Sequence, residues 1–240
     1  MPQRLPVLQD IDIILKLLEI CAAAGASLAA RHARLGPQRP CPIMLTVIIP
    51  TKNHERALVP TLAMLVPGAM TGTVSQVIVA DGDSTDATAE VVDIAGCEIM
   101  TSTAPLAARL RSAAAAARGT WLLFLRPGVV LDAAWVEEAT RVIENAVARQ
   151  TTASHAAAFR KSSAPDTAEP LWRQVLALFS AALRGPDPEQ GLMISRQFYE
   201  HIGGHRDDAA DPEAELLRRL GRRRIVTLRS AAIGWRGNDS

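Results

Sequence analysis

Short apolar runs rich in β-branched residues alternate along the chain with longer stretches whose apolar positions recur at helical spacing. LTVII at residues 45–49 is the first strand, and Pro50-Thr51-Lys52-Asn53 ends it, because proline cannot stay in a central ladder. A helix is predicted over 55–66, and residues 71–75 lead into a second strand, VIVA at 77–80. Then follow a helix over 85–95, a short strand over 97–100 and an alanine-rich helix over 105–118 with Pro105 near its first turn. TWLLFL at 120–125 is a fourth buried strand, Arg126-Pro127-Gly128 breaks it, and a helix over 132–148 starts on Asp132 as cap. Strands alternating with helices predict a mainly parallel, Rossmann-like α/β sheet flanked by helices.

The second half is less regular. A strand is predicted over 155–159, a helix over 171–183, an apolar piece over 192–194 and a short helix over 197–202 ended by Gly203-Gly204. A helix over 211–220 holds Pro212 in its first turn, and 225–228 is the last strand. The α/β domain therefore runs over 44–233, with a short tail over 234–240. Residues 1–43 differ: Ile11, Ile14, Leu15, Leu18 and Ala22 recur at helical spacing, which predicts a helix within 7–34 before Gly36-Pro37 and Pro40-Cys41-Pro42 break it. This helical extension reads as a docking helix, as a loosely held segment, or as a stretch upstream of a translation start at Met44.

Composition changes this picture little. Hydrophobic residues make up 48% of the 240, and the formal net charge is +1, so charge gives no strong pull toward nucleic acid or membrane. One tyrosine and no aromatic-basic interleaving argue against nucleic-acid binding. Cys21, Cys41 and Cys97 fit neither a disulfide framework nor a zinc site, and a reducing, cytoplasmic setting is the simpler one. No apolar run reaches the length of a spanning helix, and Asp10, Asp12, Lys16 and Glu19 interrupt what would be a signal peptide.

The chemistry concentrates after the second strand, where VIVA gives way to Asp81-Gly82-Asp83-Ser84-Thr85-Asp86. Carboxylates gather there at the carboxyl end of a buried strand, where open α/β sheets bind ligands. Asp81 and Asp83 read either as ligand contacts, with Asp81 an acceptor for a nucleotide base or ribose, or as builders of the strand-to-helix turn, the first being preferred; Ser84 and Asp86 read as builders of that turn. Arg109 and Arg111 are either phosphate ligands or the solvated face of a helix, the second being preferred. The basic cluster Arg218, Arg219, Arg222, Arg223 and Arg224 reads as a helix C-terminus and charged turn rather than an anionic-membrane contact. His201 and His205 lack partners at metal-ligand spacing, and no dinucleotide fingerprint, P-loop or nucleophile elbow is present.

Four stretches in order resemble the family 2 glycosyltransferases. They are VIIPTKNHE, VIVADGDSTDAT, AAAAARGTWLLFL, and EQGLMISRQFYEHIGG followed by EAELLRRLGRRR. The resemblance is nearest to a bacterial subgroup with Asp-Gly-Gly-Ser-Thr-Asp turns and Gly-Asp-Gln-Gly-Leu loops. It implies a GT-A type fold and transfer of a sugar from a nucleotide sugar to an acceptor the sequence does not identify, such as a lipid-linked or cell-envelope glycan. It also implies a protein of the cytoplasm with room for peripheral contact at the inner membrane face. It places Pro50, Thr51, Glu55, Asp81 and Asp83 in the nucleoside pocket. The family holds a divalent metal, Mn or Mg, with an Asp-x-Asp motif just after the fourth strand. Here that position reads Arg126-Pro127-Gly128, which offers no oxygen ligand, so no residue is assigned to a metal. Arg126 can instead meet the diphosphate. The family's Glu-Asp pair falls on Pro212-Glu213, which leaves Glu213 as the base, Asp211 as a nearby substitute, or Glu213 as an ordinary first-turn acid. Two functions follow: a metal-independent glycosyltransferase, or a catalytically silent pseudo-glycosyltransferase that binds nucleotide as a scaffold.

Overall fold

The computed structural model describes residues 44–162 and 187–234. The helix expected within 7–34, that expected over 171–183, Cys21 and Cys41 and nearly all of the C-terminal tail lie outside them.

Strand β1 (Leu45–Thr51) is buried along its whole length. It pairs in parallel with β2 (Val74–Asp81) on one edge and with β4 (Trp121–Phe124) on the other. A strand covered on both faces and paired on both edges should read as a continuous apolar run, and this one does. The strand nevertheless runs through Pro50, past the end predicted for it. Ile48 accepts from the Leu125 N–H, so even-numbered β1 residues turn their polar groups toward β4. The β4 ladder ends at the Ile48–Phe124 pair, so the N–H that Pro50 lacks has no partner to miss.

Strands β3 (Glu98–Thr101), β5 (Val129–Leu131), β6 (Ala156–Ser162), β7 (Leu192–Ser195) and β8 (Ile225–Gly234) complete one sheet of order β3-β2-β1-β4-β7-β6-β8-β5. The parallel part spans β3, β2, β1 and β4; β7 then runs antiparallel to β4 and to β6. The sheet is thus mixed, and the parallel order predicted for the first half is found there.

Two apolar cores cover its faces. On one, α1 (Glu55–Thr71), α2 (Thr88–Ile94) and α4 (Trp135–Ala148) pack Leu58, Leu62, Val92, Trp135 and Ile143 against Val47, Ile49 and Leu123. On the other, α3 (Leu106–Ala116), α5 (Arg196–His201) and α6 (Pro212–Leu220) pack Leu110, Phe198 and Leu216 against Ile48, Ile78 and Leu122. Helix α1 continues beyond residue 66 through Pro60 and Pro67. Each internal proline costs about 3 kcal/mol, but Leu58, Leu62 and Leu65 are buried at helical spacing and each contributes about 1.5–3 kcal/mol.

Asp132 is not the helix cap expected of it. Helix α4 starts at Trp135; one Asp132 oxygen accepts from Ala134 N at 3.1 Å and the other from Ala231 N at 2.7 Å. Glu138 takes the Arg229 and Ser230 N–H groups at 2.7 and 2.6 Å. These two carboxylates hold the irregular middle of β8, which therefore runs to Gly234 instead of stopping at Leu228. Strand β5, which the sequence pattern does not indicate, pairs with that extension.

Candidate active site

The parallel strands β1, β2 and β4 all end on one rim, and the residues singled out by sequence collect there. Asp81 is the last residue of β2, opposite Thr51 of β1. It is only 2% exposed, and its carboxylate accepts from Ser84 N at 2.9 Å and from the Ser84 hydroxyl. Asp83 is exposed and stands at φ +65, in the left-handed region that favours glycine. This is the second-glycine position of the Asp-Gly-Gly turn that the sequence resembles.

The loop after β1 stitches to this turn. Asn53 N donates to Ser84 Oγ and Thr85 N donates to Asn53 Oδ1, both at 2.8 Å. Ala87 N donates to Glu55 Oε2 at 2.9 Å, and Asp86 accepts from Glu55 N and Thr88 N. Glu55 thus holds the entry to α2. Pro50 and Thr51 are buried, and Thr51 Oγ1 has no hydrogen-bond partner. The turn-building role read for Ser84 and Asp86 is what the hydrogen bonds show.

Arg109 is not on a solvated face. Its Nη1 donates to Thr51 O at 3.0 Å and Ala80 O at 2.6 Å, so it braces the tips of β1 and β2 from beneath. Burial pulls its pKa down and the Asp81 charge opposes this. A Cβ on Gly82 would stand 3.1 Å from the guanidinium carbon. Gly82→Ala is therefore expected to displace this brace and lower Tm by several degrees, corresponding to ~1–2 kcal/mol; an unchanged melt would show that Arg109 yields freely. Arg111 pairs with Asp207 through two bonds of 3.0 and 2.6 Å and reaches His205 O at 2.8 Å, tying α3 to the loop before α6.

Arg126 leaves β4 at the same rim. Its Nε donates to Glu213 Oε2 at 2.7 Å, and Nη2 reaches Asp211 at 3.2 Å. Asp211 caps α6, accepting from Glu213 N and Ala214 N at 3.1 and 3.0 Å, which places Glu213 in the first turn with its side chain 8% exposed. Burial pushes the Glu213 carboxyl up, Arg126 pulls it back down, and Asp211 adds to the rise. For Arg126, burial disfavours the charge, but Glu213 and Asp211 outweigh it and the guanidinium is held above its ordinary value.

The sequence reading missed a second cation at this end of the sheet. Lys161 on β6 bridges Asp187 at 2.9 Å and Glu189 at 2.7 Å. Asp187 opens a single 3-10 turn (Pro188–Gln190) with a reciprocal cap, in which Asp187 N donates to Gln190 Oε1 at 2.6 Å. Pro188, Glu213, Phe124 and His205 line one small cavity, so this turn and α6 share a wall. Its trace in the sequence is EQGL, whose Gly191 (φ +70) leaves no room for a Cβ, 2.6 Å from Leu125 Cδ2. The lysine sits thirty residues earlier in the chain, with nothing local to mark it.

Among the described residues, no three His, Cys, Asp or Glu side chains gather as a metal site. At the tip of β4 a divalent cation would meet a guanidinium, and the nearest carboxylates, Glu213 and Asp211, already bind it. The donor set does not fit Mn2+ or Mg2+. Nor, among the described residues, is any helix long and apolar enough to cross a membrane.

The chain is similar in structure to a mannosyltransferase from Pyrobaculum calidifontis in complex with GDP-Man and Mn2+, with TM-score 0.61 and 17% identity over 95% of this chain and 69% of that one. It is also similar to glucosyl-3-phosphoglycerate synthase from Mycobacterium tuberculosis, in complex with Mn2+, uridine diphosphate and glucosyl-3-phosphoglycerate, with TM-score 0.55 and 17% identity over 81% and 72%. These likenesses show a glycosyltransferase GT-A fold. No curated protein sequence matches. The model of glycosyl transferase family 2 matches residues 46–179, more than half of the chain. The chain belongs to glycosyl transferase family 2.

Proposed function

We propose that the protein transfers a sugar from a nucleoside-diphosphate sugar to a hydroxyl acceptor, with Arg126 rather than a divalent ion taking the charge of the leaving diphosphate. The observation that carries this reading is the Arg126–Glu213 pair at 2.7 Å on the rim where β1, β2 and β4 end. In the transfer, the acceptor oxygen attacks the anomeric carbon as the bond from that carbon to the diphosphate breaks. Glu213 takes the hydroxyl proton, and the diphosphate leaves as an anion. Burial gives Glu213 a raised proton affinity, which suits a base, and Arg126 opposes that rise until the diphosphate engages it. The diphosphate competes with Glu213 for the guanidinium, so donor binding frees the base.

The nucleoside falls to Pro50, Thr51, Glu55, Asp81 and Asp83. Thr51 supplies a buried hydroxyl without a partner. Asp83 supplies an exposed carboxylate. Asp81 has acceptor capacity left, since a carboxylate offers about four lone-pair sites. The relatives bound to GDP-Man and to uridine diphosphate make the guanosine and uridine donors the first to try.

The test is thermal unfolding with uridine, guanosine and thymidine diphosphates and their sugars, in manganese and in EDTA. Binding to the native state at one hundred times Kd stabilises by about 2.7 kcal/mol. The expected result is a rise in Tm that survives EDTA and is lost in Arg126→Ala. A rise that requires manganese would overturn the role of Arg126, and no rise with any nucleotide would overturn the reading. A rise without transfer to any acceptor would favour the silent scaffold, which the four carboxylates around Arg126 and Lys161 also support.

A further inference from the structure

The opposite rim of the sheet, where β1, β4, β6 and β8 begin, carries an open groove of about 320 Å3 lined almost wholly by carbon. Trp121, Ala156 and Val226 line it from the sheet, and Val142, Ala146 and Arg149 from α4. Val226 is 47% exposed. One of the few large apolar side chains left in water among the described residues thus stands in the groove. Arg149 is exposed at its edge, and no carboxylate among the described residues pairs with it.

We propose that this groove is the dock for residues 7–34 of the same chain, bound as an amphipathic helix. The first argument is continuity. The Met44 carbonyl accepts from Trp121 N at 3.2 Å, so the preceding segment joins the described structure beside the groove. The second is pattern. On a helix, Val7, Ile11, Ile14, Leu15, Leu18 and Ala22 fall on one face, which a hydrophobic groove can take, while Ile13, Leu17 and Ile20 lie outside it. The third is reach. The residues between 34 and 44 span up to about 33 Å when extended, enough to lay a helix back along the groove beside Met44. The fourth is charge. Asp12 and Glu19 lie two turns apart on one flank of the stripe, where they can meet Arg149.

The full chain tests this directly. A benzophenone amino acid replaces Val226, an exposed position, and a mixture of 15N-labelled and unlabelled protein is irradiated and mapped by mass spectrometry. The expected product joins position 226 to a residue within 7–34 of the same chain. Leu15→Asp should lower its yield by about tenfold or more, since an unpaired carboxylate cannot enter an apolar groove without heavy cost. A product between labelled and unlabelled chains would assign the groove to a second copy and overturn the proposal. Absence of a product with 7–34, or a yield that Leu15→Asp leaves unchanged, would also overturn it.

Discussion

Glu213→Gln is expected to lower sugar transfer by about 10²- to 10⁴-fold, the usual contribution of a positioned base, without loss of nucleotide binding or of the fold. The amide keeps the shape of the glutamate and an oxygen to accept from Arg126 Nε, now 2.7 Å away. What it loses is the ability to take a proton. Stability should move the other way. The Glu213 carboxyl binds its proton more tightly in the folded chain than its ordinary value, chiefly because it is buried. A carboxyl raised on folding favours the folded state when protonated, and that contribution is lost as pH rises through its folded pKa. Above that pH the ionised side chain is a cost that Gln removes. Arg126 retains Asp211 at 3.2 Å, so its charge is not stranded. The variant should therefore melt no lower than the parent at pH 8 while being nearly silent in transfer, the usual relation between a strained site and stability. Transfer within threefold of the parent would place the base elsewhere, and a marked fall in Tm would mean that the ion pair outweighs the burial of its acid.

Arg126→Gln probes the same pair from the other side. Without the guanidinium, the pull that lowers the Glu213 pKa is gone, and burial and the Asp211 charge act unopposed. The acidic limb of the rate profile should move to higher pH in whatever activity remains. A limb that stays in place would separate Arg126 from the base.

The fold was legible because its strands are covered on both faces. LTVII, VIVA and TWLLFL are continuous apolar runs for that reason, and β1, β2 and β4 carry them at the centre of the sheet. The edge was not legible. β5 is three residues long, and β8 is held by the Asp132 and Glu138 carboxylates reaching across from the start of α4, a long-range contact that no local period reports. The site divided in the same way. Arg126 and Glu213 could be found because each stands at a fixed offset from a strand tip or a helix cap, and the fold brings them together across 87 positions. Arg109 was misread as a surface residue because its neighbours are alanines on an exposed-looking helix. Its reach to Thr51 O and Ala80 O depends on how α3 crosses two strands. Lys161 follows no motif at all, and only the turn at Asp187 gives it partners.

The stability of the chain is expected to fall as the medium is acidified from about pH 6.5, with His205 as the main cause. His205 is 1% exposed. Its backbone N donates to the Tyr199 hydroxyl at 3.3 Å, and that hydroxyl lies 2.8 Å from Nδ1. Burial keeps the Tyr199 proton in place, its pKa pushed up to about 12, and the direction of its bond to Nδ1 follows the imidazole tautomer. Phe124 meets the ring edge-on at 4.9 Å. Burial, then Arg219 on α6 and Arg111 on α3, drive the imidazole pKa down to about 3, with Asp211 a weak opposing charge. The sign follows from proton counting. Between about pH 6.5 and 3 the unfolded chain binds a proton at this residue that the folded chain refuses, so the folded state loses up to about 1.4 kcal/mol per pH unit. Against a total stability of about 5–15 kcal/mol this is a large share. Glu213 opposes it, because its raised carboxyl gains stability as it takes up a proton. Urea melts over pH 7 to 4.5 measure the balance. His205→Gln, which can still accept from Tyr199, should flatten the slope, whereas Glu213→Gln should steepen it by removing the opposing group. A slope that His205→Gln leaves intact would show that the imidazole is protonated inside the folded chain, and that the wall between Phe124 and Glu213 admits water.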